Sequence, residues 1–417
     1  MKLFFLFVFL SLFVNCYAIE PVKVAMDVES SAGEGEVSLE NIAKIAQGLG
    51  IDAVIIGEQY CARFEYGIGP LRRIFRKTYL GDSACKYGLE RYLRLFDEIN
   101  KNSKVLMIEG FETTPYYWWR GSFFKGDLQL VDWHRQFIVT GLDYNGYRDL
   151  PVTSTGKSKY SPYDAKKWFE PYQDFVDYVR QRGGLVFWAH PDEGHNEKIH
   201  GITVSTQPYP EMLKKVDGFT GFGIFFGGYE ETGKPEGIWD QMLVEYCNGR
   251  RKYPVWAIGE LDYSSSKEVG RIDEMLNFVF AEQKTREGIL SAMKKGRLYV
   301  SWEMHRKGVY LEEWSLQDAS TKEKVFSGGF LSCGAKVYLI IKLRLEKNPE
   351  SALTINVLKN AQLFDIKEIT DINSKEIEIR IEDNPEPGQN NYFRIEVKYR
   401  GAQLITNPIF YKYENKK

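Results

Sequence analysis

Five short apolar runs, spread between Val24 and Asp262, each lead into acidic, amide or imidazole side chains, and segments of helical period lie between them. The first run leads into Asp27-Val28-Glu29, the second into Gly57-Glu58-Gln59 and the third into Gly110-Phe111-Glu112. Ala189-His190-Pro191 ends a later one, and Gly259-Glu260-Leu261-Asp262 follows the last. Strands that alternate with helices and end in polar groups are how a barrel of parallel strands gathers a site at its C-terminal rim. In a regular strand Asp27 and Glu29, two positions apart, share one face.

Helix signals fill the gaps. Ser38 suits an N-cap, Ile42, Ile45, Ala46 and Leu49 fall on one face, and Gly50 ends the pattern just before the run 53–56. Leu89, Tyr92, Leu93, Phe96 and Ile99 make the next apolar face, ahead of the run 105–108. Phe175 and Val179 belong to another helix, stopped by Gly183-Gly184 before the run 185–188. After Glu312 the pattern changes to strands near 337–343, 353–358, 377–381, 392–397 and 408–411, with turn-rich Asn384-Pro385-Glu386-Pro387-Gly388 among them. The expected fold is α/β, a distorted (β/α) TIM-like barrel over 19–312, with a C-terminal all-β sandwich-like domain over 313–417.

The chain has 417 residues and a formal net charge of -2, so no global basic field draws it to nucleic acid or an anionic membrane. Lys2, an apolar run over 3–14 and Cys16-Tyr17-Ala18 read as a signal peptide over 1–18, cleaved after Ala18. Export to a periplasmic or extracellular compartment follows from that reading. Acylation at Cys16 is the alternative, and Asn15 before it argues against it. The run over 3–14 is too short to span a bilayer as a typical anchor, and no other segment is long and apolar enough to do so. The basic cluster Arg72-Arg73-Ile74-Phe75-Arg76-Lys77 reads as a solvated helix face. Cys61 and Cys85 flank an insertion after the second run; an oxidising compartment allows them to join, and two buried thiols are the other reading.

The order and spacing of these stretches resemble the PHP (polymerase and histidinol phosphatase) superfamily, especially its CehA/McbA-like branch, over 22–301. That family carries His-x-His on its first strand with Asp-Gly after it, then Thr-Asp-His, Gly-x-Glu, Ala-His-Pro and Gly-Ser-Asp-x-His. Here the first motif reads Asp27-Val28-Glu29 with Glu34-Gly35 in register, and the second reads Gly57-Glu58-Gln59. Glu112, His190 and Asp262 match the family residue type, while Ser264 stands where the last histidine belongs. A further family histidine aligns with either His134 or Gln136. Residues 285–301 look like the helix and strand that close the family's barrel.

The resemblance implies a metal-dependent hydrolase acting on phosphoesters or related bonds, with Asp27, Glu29, Glu58, Glu112, His190 and Asp262 as metal ligands. His190 and Asp262 would also take part in catalysis. Oxygen-rich ligands favour manganese, magnesium or calcium over zinc. Five carboxylates at close range need compensating charge: a bound cation, internal salt bridges to Arg or Lys, or shared protons with raised pKa values. The second choice points to a non-catalytic ligand- or glycan-binding relative, and the third to a carboxylate-pair glycosidase. The chain has only five histidines, so a histidine-rich site cannot be assembled from elsewhere. His195 and His200 read as solvent-exposed, and His305 as lying outside the site. In the aromatic run 115–124, Trp118 and Trp119 are candidates to stack on a small-molecule or glycan ligand, and Arg120 to hold a phosphate or carboxylate. Simple packing is the alternative, since aromatics make up 15% of the chain.

Overall fold

The computed structural model describes residues 20–414 except 73, 165, 200, 226, 348–350 and 371–373. The expected signal segment and His200 lie outside the described residues.

The first strand, Val22–Val28, is buried along almost its whole length and pairs in parallel with Ala53–Ile56, which pairs in parallel with Leu106–Ile108. Helices make the crossovers. Ser38 caps Leu39–Gly48 by accepting from Asn41 N, and Leu39, Ile42, Ala43 and Ala46 form its buried face. Helix Leu89–Asn100 buries Tyr92, Phe96 and Ile99. These strand-helix-strand units follow the sequence periodicity.

The uniform parallel order does not continue. Phe137–Thr140 runs antiparallel to both of its neighbours, Gly110–Thr113 and Leu185–Trp188. Between Gly110–Thr113 and Phe137–Thr140 the chain makes no crossover helix. It leaves instead to form Trp118–Arg120 and Gln129–Val131, part of a separate four-stranded sheet, and so returns in the opposite direction. Met275–Val279 is also antiparallel to the first strand. The result is mixed α/β with several sheets, and among the described residues the ladders form no closed barrel.

Two large sheets meet at the strand ends. Glu58–Gln59 begins a six-stranded sheet only one residue after Ala53–Ile56, which belongs to the eleven-stranded one. Gly110–Thr113 likewise follows Leu106–Ile108 across Glu109. At the opposite edge, beyond strand Trp256–Ile258, Leu261 N donates to Met26 O (3.0 Å) and Glu29 N donates to Tyr263 O (2.9 Å). Both edges of the six-stranded sheet therefore end beside the first strand.

Beyond 312 the described elements are strands. Val309–Asp318 joins a four-stranded sheet, while Ala402–Thr406 pairs with Leu298–Trp302 and extends the eleven-stranded sheet. A buried ion pair also crosses this region: Arg394 on Asn390–Tyr399 meets Asp240 on helix Ile238–Cys247 at 2.7 Å. Cys61 and Cys85 are free thiols, and Cys85 N donates to Tyr60 O (3.0 Å), which brings the two cysteines side by side. No helix among the described residues is long and apolar enough to cross a membrane.

Candidate metal centre

Asp27 sits on a break in the first strand. The register with Ala53–Ile56 skips between Met26 and Val28, and Asp27 takes φ 69°, in the left-handed region. Such a bulge re-aims a side chain next to a site. The regular alternation expected for Asp27 and Glu29 is therefore broken, and Glu29 lies just past the strand. Their charges still act on one another, because Glu29 is among the groups that raise Asp27. Gly57 leaves the space that Asp27 fills, since a methyl there would collide with Asp27 Oδ1.

Glu58 is fully buried and turns towards Ser30, whose hydroxyl donates to Glu58 Oε2 (2.6 Å) and whose amide does so at 3.2 Å. Glu112 occupies the next strand of the sheet. Its Oε1 lies 3.1 Å from His190 Nε2, and its Oε2 accepts from Gln136 Nε2 (2.8 Å). His190 follows strand Leu185–Trp188 with φ 28°, and its backbone N–H donates to Glu260 Oε1 (2.5 Å). Asp262, with φ 52°, is the exposed member of the group. One ligand atom each from Asp27, Glu112 and Asp262 lies within 4.8 Å of the others, and His190, Glu193 and His195 form a neighbouring set by the same measure.

Burial and mutual repulsion govern the electrostatics. Asp27 is pushed well above the usual carboxylate range by burial, then by Glu112, Asp262, Glu260 and Glu29. Burial lifts Glu29 to about 9, with Glu112, Asp262 and Glu58 adding to it. Glu260 rises to about 8 and Glu58 to about 7, in both cases mainly through burial. Glu112 is also raised, burial outweighing its bond to His190. For His190 burial disfavours the charged ring, but the hydrogen bond and charge of Glu112 overcome it and carry the group to about 10. Among the described residues none of these carboxylates forms an ion pair with Arg or Lys, and His190 with Glu112 is the one pair in the cluster. Asp27 Oδ2, Glu58 Oε1, Glu260 Oε2 and His190 Nδ1 are buried without a hydrogen-bond partner. Buried polar atoms are nearly always satisfied, so the orphaned oxygens of Asp27 and Glu260, whose charges act on one another, suit a cation bound near them.

Of the six proposed ligands, Asp27, Glu112 and Asp262 bring ligand atoms within 4.8 Å of one another, His190 touches Glu112, and Glu29 acts on them through its charge, whereas Glu58 is set towards Ser30 and Gly33. One further member was not singled out from the sequence. Glu260 is buried beside His190 and lies in the same short motif as Asp262, a signal that could have found it. Gln136, rather than His134, contacts Glu112. His134 stacks instead on His195 with ring centroids 4.3 Å apart, and His195 is half-buried rather than fully exposed. Ser264 spends its amide on Glu268 Oε2 (3.3 Å), and His305 bonds to Ser301 Oγ (2.9 Å), away from the cluster.

The aromatic run lies on the four-stranded sheet. Trp118 Nε1 donates to Asp132 Oδ2 (3.1 Å), and Trp119 Nε1 donates to Glu65 O (2.9 Å). Trp119 packs with Phe64, Tyr117, Leu130 and Trp133 in a second apolar cluster, and Arg120 Nε donates to Gln129 Oε1 (3.1 Å).

No known family pattern and no curated protein matches this chain. Among solved structures it is similar to a two-domain protein from Bacteroides vulgatus described as containing a predicted PHP-like metal-dependent phosphoesterase. The two share 14% identity, with 94% of this chain and 95% of the other covered and a TM-score of 0.38. A second, from Bifidobacterium adolescentis and described as a predicted metal-dependent phosphoesterase, shares 12% identity over 61% of this chain and 96% of its own, with a TM-score of 0.30. Likenesses at this level assign neither family nor activity, and the chemistry rests on the centre itself.

Proposed function

We propose that this chain is an exported metal-dependent hydrolase of phosphoesters or related bonds, a divergent relative of the CehA/McbA-like PHP proteins. The observation that carries this reading is the set of buried carboxylate oxygens that have, among the described residues, neither a hydrogen-bond donor nor an ion pair with Arg or Lys. Asp27, Glu112 and Asp262 would hold a divalent cation, with Glu29, Glu58 and Glu260 adding negative charge around it. An oxygen donor set favours manganese, magnesium or calcium, and zinc would be the poorer fit.

A bound cation would supply Lewis acidity towards water and a phosphoryl oxygen. The protein's own groups do the rest. Asp262, exposed at the mouth, leaves the centre open to substrate. Glu112 fixes the His190 ring through Nε2 and favours its charged form, so His190 would offset part of the carboxylate charge at the centre. Glu260 fixes the His190 backbone.

Metal content of protein purified without chelator, combined with turnover of bis(p-nitrophenyl) phosphate under each cation, tests the reading. Bound divalent metal, turnover with manganese or magnesium and loss of both in Glu112→Gln are expected. Metal-free protein that stays inactive with every cation would leave the non-catalytic reading. Chelator-resistant cleavage of glycosides would favour the carboxylate-pair glycosidase, for which the raised acids are the supporting observation.

A further inference from the structure

The described residues of the basic cluster, Arg72 and 74–77, lie on no helix. Ile74 and Phe75 stand in the turn that joins Arg63–Gly67 to Arg76–Leu80, where Ile68 N donates to Phe75 O (2.8 Å), and Arg76 and Lys77 open the second strand. A second tip, the short turn Phe123–Lys125, caps the hairpin of Trp118–Arg120 and Gln129–Val131. Both tips face one cavity of about 670 Å3, lined by Phe64, Tyr66, Phe75, Trp119 and Phe123. The outermost side chains are apolar and unusually bare: Ile74 is 71% exposed, Phe75 58%, Phe123 60% and Phe124 78%. Large apolar groups clustered in water mark an interaction surface.

Charge identifies the occupant. Lys77 and Lys125 stand on the same two tips and form no ion pair among the described residues. The nearby acids are engaged: Glu65 pairs with Arg63 and Arg76, each at 3.2 Å, and Asp127 Oδ1 accepts from Ser122 N (2.7 Å). Arg72 lies over the Tyr163 ring at 4.4 Å. The exposed Ile and Phe side chains have no hydrogen-bonding group with which to hold a sugar. Apolar tips that enter the acyl boundary, ringed by cations that meet anionic headgroups, match a bilayer surface.

We propose that the two hairpin tips dock this chain onto an anionic lipid bilayer, with Ile74, Phe75, Phe123 and Phe124 entering the interface and Lys77 and Lys125 meeting the headgroups. The surface is made of residues other than those of the metal centre, so docking does not depend on the hydrolase reading.

Sedimentation of the full chain with vesicles tests this, comparing phosphatidylcholine alone with phosphatidylcholine containing about a third phosphatidylglycerol. Binding to the anionic vesicles, weakened by salt, and little binding to the neutral ones are expected. Phe75→Ser with Phe124→Ser should weaken binding at least tenfold, and Lys77→Glu with Lys125→Glu should weaken it and flatten the salt dependence. Unchanged melting curves and metal content would show that the exposed substitutions leave fold and centre intact. Absence of binding by the wild type, or equal binding by both double variants, would overturn the proposal. A dimer that the Phe double variant dissociates, seen by light scattering, would overturn it too, by giving the surface to a second copy.

Discussion

Asp27, His190 and Asp262 all take positive φ, at 69°, 28° and 52°. A non-glycine residue held in the left-handed region costs about 1–3 kcal/mol, and such strain persists where the surroundings over-determine it. Together with like charges and orphaned oxygens it makes the cation-free centre a destabilising element. Protonation relieves part of that. Glu29, Glu260 and Glu58 titrate in the folded chain near 9, 8 and 7, above their unfolded value of 4.5, and His190 near 10, above 6.5. The folded state therefore holds more protons than the unfolded state across this window, and its stability falls as pH rises. In chelator the melting temperature is expected to drop steadily from about pH 5 to pH 9. Saturating manganese should flatten the profile and release protons on binding, measurable by calorimetry in two buffers; overlapping melts with and without manganese would refute it. Glu260→Gln isolates one charge. The amide oxygen still accepts from His190 N, so the chelated variant should melt several degrees higher while manganese affinity falls about tenfold, a loss of about 1.4 kcal/mol.

Strand Trp256–Ile258, which delivers Glu260 and Asp262, pairs with Gly221–Gly223 along one edge only. On the open side two buried asparagines take the place of a strand. Asn407 accepts from Ala257 N (2.8 Å) and donates to Ala257 O (3.1 Å), while Asn277 makes the same pair of bonds to Gly259, both at 2.8 Å. Removing either leaves buried backbone groups unsatisfied, at about 1–3 kcal/mol each. Asn277→Ala, nearer the centre, should lower manganese affinity as well as the melting temperature, whereas Asn407→Ala should act mainly on stability. Equal affinity in wild type and Asn277→Ala would show that Gly259 is held by other means. These devices also mark how far the sequence could be read. Helices Leu39–Gly48 and Leu89–Asn100 and the runs ending at Glu58, Glu112 and His190 were legible because period and capping are local properties. The antiparallel return of Phe137–Thr140 was not, since it depends on the excursion through 118–131. The Asp27 bulge and the Glu260 bond to His190 N were hidden for a related reason: both arise from pairing between distant segments.

At the scale of the molecule, one fully buried cluster ties helix Ile238–Cys247 to the C-terminal strands. Arg394 donates to Asp240 through Nε and Nη2, both at 2.7 Å, and to Glu396 through Nη1 (3.0 Å), with its guanidinium over the Trp239 ring. Tyr392 OH donates to Asp240 (2.8 Å) and Tyr229 OH to Glu396 (3.2 Å), so the charges are bonded on several sides. The asymmetry of buried pairs makes a sharp test. Arg394→Met leaves Asp240 and Glu396 buried without their cation and should cost about 3–5 kcal/mol. Arg394→Met with Asp240→Leu and Glu396→Leu removes the stranded charges and should recover much of that loss. The helix lies in the α/β region and the strand in the C-terminal region, and Ala402–Thr406 hydrogen-bonds to Leu298–Trp302. Unfolding of the wild type should therefore be one cooperative calorimetric transition, since neither region keeps its pairing without the other. In Arg394→Met the transition should move to lower temperature and broaden, as the ladder between Leu298–Trp302 and Ala402–Thr406 and the bonds of Asn407 to Ala257 and of Asn390 to Cys247 are left to couple the two regions. A variant that melts at the wild-type temperature would show that the cluster does not join them.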